Sequence, residues 1–120
     1  MKKILISDKL AEDGINFLNE QEGIQIHIQT GLDEDGLCDI IADYDALLIR
    51  SDTQVTARVL KAAKNLKVVG RAGIGVDNVD LDTAMEQGVI VMNTPDANAT
   101  TTAELAIAHL FSLSRNLPAA

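Results

Sequence analysis

The stretch Asp45–Ala72, DALLIRSDTQVTARVLKAAKNLKVVGRA, decides the fold. Two apolar runs, DALLIRS (45–51) and LKVVGRA (66–72), flank a segment of helical character, TARVLKAAK (56–64). The runs are nearly continuous rather than alternating, as strands covered on both faces must be. A strand, a crossover helix and a second strand make a parallel pair, and parallel pairs need helices on the sheet faces.

Outward from that unit the alternation persists. KKILIS (2–7) reads as strand 1, and AEDGINFLNEQ (11–21) as helix 1 with an apolar stripe of Ile15, Leu18 and the nearby Phe17. GIQIHIQT (23–30) is strand 2, and its strict alternation sets Ile24, Ile26 and Ile28 on one face against Gln25, His27 and Gln29 on the other. A strand with one polar face belongs at an edge, which points His27 to solvent or to a helix margin. LDEDGLCDIIADY (32–44) is helix 2, opened by acidic residues suited to the positive end of the helix dipole. LDTAMEQG (81–88) is a short helix 4 stopped by Gly88, and VIVMNTP (89–95) is strand 5 ended by Pro95. Five strands with helical crossovers predict a three-layer α/β domain with a parallel sheet ordered 2-1-3-4-5.

The last segment, ATTTAELAIAHLFSLSRNLPAA (99–120), is a helix of another kind. Thr101 and Glu104 form a capping box, and Ala106, Ile107, Leu110, Phe111, Leu113 and Leu117 spread apolar surface around much of it. His109 within it reads as a packing or helix-end residue.

Bulk properties narrow the function. The chain has 120 residues, about one domain, and a formal net charge of -8 from 18 acidic and 10 basic residues. The basic residues are scattered, which argues against nucleic acid as a partner. No apolar stretch approaches the ~20 residues of a membrane span, and Asp8 interrupts the only run that could serve as a leader, so a cytoplasmic protein is expected. Cys38 is the single cysteine and reads as a small buried residue on helix 2. Two distant histidines and one cysteine offer no metal-ligand spacing and no nucleophile–base pair.

In an open parallel sheet, ligands bind outside the carboxyl ends of the strands. Strand 3 delivers Arg50, Ser51 and Asp52 there; strand 4 delivers Arg71, then Gly73, Ile74 and Gly75; strand 5 delivers Asn93, Thr94, Asp96 and Asn98. Each guanidinium is a planar fork suited to carboxylate or phosphate, and the glycines allow backbone N–H groups to turn together toward an anion. This is a pocket for a small multiply charged acid, unless Arg50 and Arg71 merely pair with Asp8, Asp52 or Asp77. The run GRAGIGVDNVD (70–80) is not a dinucleotide fingerprint, because Asn78 stands where G-x-G-x-x-G needs its third glycine. A phosphate-accepting receiver would need an acidic residue ending strand 3, where Arg50 stands, and a lysine after strand 5, where Asn93 stands. SDKLAED after strand 1 and the absence of Trp are equally unsuited to binding a flavin.

RSDTQVT (50–56), VGRAGIGVDNVD (69–80), GVIVMNTPDAN (88–98) and AELAIAHLFSLSRN (103–116), in that order and spacing, resemble the D-2-hydroxyacid dehydrogenase family, above all its members that oxidise 3-phosphoglycerate with NAD on the way to serine. The likeness runs from about Tyr44 to the end of the chain. It implies a substrate-binding domain of flavodoxin-like topology over residues 1–98 and, over 99–120, a crossover helix leading to an NAD-binding domain. It further implies that Arg50, Ser51, Arg71 and Asn98 contact the substrate, while the amides of Gly73, Ile74 and Gly75 hold its carboxylate. The family's cofactor-binding glycines and its catalytic Arg, Glu and His would fall beyond Ala120. This stretch is therefore expected to bind no cofactor and to be inactive alone. Without its partner domain, the Thr101–Leu117 helix is expected to join two copies into a homodimer.

Overall fold

The computed structural model describes residues 2–10, 12–72, 78–93, 104 and 106–108. Its strands and helices are β1 (Lys2–Ile6), α1 (Glu12–Asn19), β2 (Ile24–Ile28), α2 (Glu34–Ile40), β3 (Ala46–Ile49), α3 (Ala57–Ala62), β4 (Val68–Arg71), α4 (Leu81–Glu86) and β5 (Ile90–Asn93). The five strands form one parallel sheet in the order β2-β1-β3-β4-β5, as expected.

Strand periodicity divides the core into two layers. Ile4, Ile6, Ala46, Leu48 and Val68 point to one face, where Leu18 of α1 and Ala106 cover them. Leu5, Leu47, Ile49 and Val69 point to the other face, covered by Leu37 of α2, Val59 and Leu60 of α3 and Ala84 of α4. Every residue of β3 and β4 is buried, which accounts for their unbroken apolar runs.

β2 lies at an edge, but its apolar face is not uniformly covered. Ile24 and Ile26 pack on the core, whereas Ile28, at the carboxyl end of the strand, is 51% exposed. His27 sits at the sheet–helix margin, its Nδ1 2.7 Å from the Tyr44 hydroxyl and its ring edge-on to that tyrosine.

The helices are shorter than their sequence patterns. α2 gives way to a 3-10 turn at Ile41–Asp43, and α3 stops at Ala62 rather than Lys64. Asp33, Thr56 and Asp80 cap α2, α3 and α4 by accepting from the N–H groups of Gly36, Val59 and Thr83. Gly88, at φ +73, turns the chain from α4 into β5. Glu104 and Ala106–Ala108 are helical, with Ala106 fully buried and Ile107 packed on the sheet. His109 and most of the expected Thr101–Leu117 helix lie outside the described residues.

Candidate functional site

The carboxyl ends of β1, β3 and β4 meet at one rim, set by register: Ile6 pairs with Leu48, and Ile49 with Arg71. Ser7 and Asp8 follow β1, and Arg50 to Thr53 follow β3. Arg50 and Ser51 are exposed there, while Arg71, the last residue of β4, is only 9% exposed. The two arginines come together through the backbone: Arg71 Nε–H donates to the Arg50 carbonyl at 3.4 Å. Gly73, Ile74, Gly75 and Asn98 lie outside the described residues.

Asp8 does not act as an ion-pair partner for the Arg50 guanidinium among the described residues; it serves the backbone instead. One oxygen, Oδ2, accepts from the Arg50 N–H at 2.7 Å and the Thr53 N–H at 3.0 Å. The other, Oδ1, accepts from the Thr53 hydroxyl at 2.6 Å. That hydroxyl has a single hydrogen, so Ser7 Oγ–H must be the donor in its 2.8 Å contact with Thr53 Oγ1.

On the other side of the same turn lies Asn78. Its side-chain NH2 donates to the carbonyls of Arg50, at 2.8 Å, and Thr53, at 2.7 Å. The following residues run beside the turn: Val55 N–H donates to the Asn78 carbonyl and Asp80 N–H to the Val55 carbonyl, a single parallel bridge between Val55 and Val79. The turn that presents Arg50 is therefore held on its N–H side by Asp8 and on its carbonyl side by Asn78. From sequence, Asp8 is read as a break in an apolar run and as a rival ligand for arginine, and Asn78 as a missing glycine. The available signal was that Asp8 directly follows a buried strand, at the end where ligands bind.

Beside this turn a cleft of about 450 Å³ opens between the amino end of α2 and the β3–α3 loop. Asp33, Glu34 and Asp52 line it, so its wall repels the anion that the arginines suit. Glu34 accepts from the Thr56 hydroxyl at 2.7 Å and from Arg58 at 2.9 Å. The Thr56 bond, followed by the Arg58 bond, holds the Glu34 carboxyl below the usual carboxylate range. Those contacts tie α2 to α3 and make the cleft a seam between the two helices. Among the described residues, no cluster of His, Cys, Asp or Glu is placed to hold a metal, and no helix is long and apolar enough to cross a membrane.

The chain is 42% identical over 118 residues to D-3-phosphoglycerate dehydrogenase of Synechocystis sp., covering 98% of this chain and 21% of that protein. It is 45% identical to D-3-phosphoglycerate dehydrogenase of Methanocaldococcus jannaschii, covering 100% of this chain and 22% of that protein. It thus spans about a fifth of the length of the curated relatives it matches. Among solved structures, NAD+-bound 3-phosphoglycerate dehydrogenase of Entamoeba histolytica superposes with a TM-score of 0.72 at 28% identity, over 89% of this chain and 37% of that one. The TT0316 protein of Thermus thermophilus superposes with a TM-score of 0.71 at 29% identity, over 96% of this chain and 37% of that one. Residues 4–116 match the family described as D-isomer specific 2-hydroxyacid dehydrogenase, catalytic domain. With this sheet order, this match and these relatives, the chain belongs to the D-isomer specific 2-hydroxyacid dehydrogenase family.

Proposed function

We propose that this chain is the substrate-binding portion of an NAD-dependent D-3-phosphoglycerate dehydrogenase, holding 3-phosphoglycerate for oxidation to 3-phosphohydroxypyruvate. The observation that carries the reading is the convergence of Arg50 and Arg71 on one rim, linked through the Arg50 carbonyl. Arg50 extends an exposed guanidinium, and Arg71 is nearly buried, where a charge-assisted bond to phosphate or carboxylate is least weakened by water. Ser51 adds a hydroxyl beside them, and the amides of Gly73, Ile74 and Gly75 with the side chain of Asn98 complete the proposed anion cradle. In this reading the described residues supply cationic and hydrogen-bonding groups that hold the acid, and hydride transfer is assigned to the NAD-binding domain of the whole enzyme. NAD binding is proposed for the whole enzyme and not for these residues.

Backbone amide NMR of the chain, titrated separately with 3-phosphoglycerate and with NAD, tests this. Shifts at Arg50, Ser51 and Arg71 are expected with the acid and none with NAD. Arg71→Ala should weaken binding of the acid by roughly 1.5–3 kcal/mol, the cost of a lost charged hydrogen bond. An unchanged affinity would remove Arg71 from the site.

A second reading, association of two copies through Thr101–Leu117, has less support. Ala106 and Ile107 already pack against the chain's own sheet, which occupies that side of the segment. Light scattering across a concentration series decides it: a mass that rises toward twice 12.8 kDa favours association.

A further inference from the structure

Asn78 is 8% exposed, and its orientation is not a matter of choice. Both groups facing its nitrogen are carbonyls, which only accept, so the NH2 end must face Arg50 and Thr53. The amide oxygen is then left buried, with no donor among the described residues. A buried acceptor without a partner carries a free-energy penalty, so stability alone is a poor reason for an asparagine here. What the carboxamide does achieve is a two-point grip on a turn whose N–H groups Asp8 already holds. Aspartate would set oxygens against the same carbonyls, and serine has one proton for two acceptors.

Resting on the anion-site reading above, we propose that Asn78 and Asp8 are positioning residues: they clamp the Arg50–Thr53 turn from opposite sides, fixing both the backbone from which Arg50 projects and the carbonyl that receives Arg71 Nε–H. Neither side chain needs to touch the ligand. Their effect passes through the two arginines, because a guanidinium binds an anion tightly only when its fork is already aimed.

The test compares Asn78→Asp, of the same shape but without the donors, and the milder Asn78→Ser with Leu66→Val. Leu66 is a buried core residue just before β4, at the end of the sheet opposite the rim. Three quantities are read on the folded chain: the thermal midpoint, the Kd for 3-phosphoglycerate, and the solvent exchange rate of the Arg71 Nε–H resonance. Asn78→Asp should raise Kd about tenfold or more, because the ligand must then bear the cost of aiming the two guanidinium groups, and should speed Arg71 Nε–H exchange. Asn78→Ser should fall between it and the wild type on both counts. Leu66→Val should lower the midpoint and leave Kd and the arginine signal within about twofold, since its effect is on packing alone. Asp8→Ala should behave as Asn78→Asp does, and Asp8→Asn, which keeps an acceptor for the two N–H groups, should recover much of the affinity. The clamp is overturned if Asn78→Asp moves Kd and the Arg71 resonance no more than Leu66→Val does. If the wild type fails to bind 3-phosphoglycerate while Arg71 exchange still depends on Asn78, the substrate reading falls and the clamp stands.

Discussion

At the scale of single residues, burial outweighs the nearby positive charge at Cys38. It is half-buried on α2 rather than fully buried, and packs against the core layer that holds Leu37. Burial pushes its thiol above the ordinary value; the opposing pull of Arg58 is smaller, and Glu34, Asp35 and Asp39 add to the rise. The thiolate is the reactive form, so Cys38 should be alkylated more slowly by iodoacetamide at pH 8 than a free cysteine, and at the free rate once the chain is unfolded in urea. Mass spectrometry of timed samples reads both rates, and equal rates would contradict the packing described for α2. All the bonds described for Asp8 are made to its two carboxylate oxygens, while the side chain of Asn78 uses only its nitrogen.

At the scale of elements, α2, α3 and α4 have 7, 6 and 6 residues, too few to persist alone in water. Caps and lateral ties hold them. Glu34 joins the first turn of α2 to Thr56, the cap of α3, and to Arg58 within α3. Because its folded pKa lies below the unfolded one, the stability it contributes is present above the ordinary carboxylate value and is lost as pH falls through the lowered folded value. The difference in thermal midpoint between wild type and Glu34→Gln should therefore be present at pH 7 and shrink below about pH 4.3. Glu34 is exposed at the surface, so added salt should reduce that difference as well. A difference that grew on acidification would reverse the assignment.

For the whole molecule, sensitivity to substitution should follow the layers. Ile49→Val, in a strand buried on both faces, should cost about 0.5–1.5 kcal/mol in denaturant unfolding. Met85→Ala, on the outer side of α4 where the methionine is 79% exposed, should stay within about 0.5 kcal/mol of wild type.

That layering was legible in the sequence. The unbroken apolar runs of β3 and β4 identified central strands, and the alternation in β2 identified an edge. Arg50 and Arg71 were legible as a pair because both end such strands. The clamp was not, because Asp8 and Thr53 lie 45 positions apart, and Thr53 and Asn78 lie 25 apart. Only the stagger between neighbouring strands brings them together. Hydrophobic periodicity assigns a residue to a face of the sheet, but not to a partner across the rim. Helix ends were overrun for a related reason. Ile41 and Ala63 continue the apolar pattern past the last helical turn, since core contacts do not stop where the backbone bonds do.

The strand order also bears on how the chain matures. β1 precedes the other four strands in the chain and lies between β2 and β3, pairing with β3 across 42 positions, Ile4 beside Ala46. During synthesis, β1, α1 and β2 can assemble only a two-stranded ribbon, before β3 and the later helices are there to cover Ile4, Leu5 and Ile6. Until Ala46–Ile49 leaves the ribosome, the nascent chain presents an apolar strand with one edge unpaired, the kind of surface that chaperones engage and that aggregates when crowded.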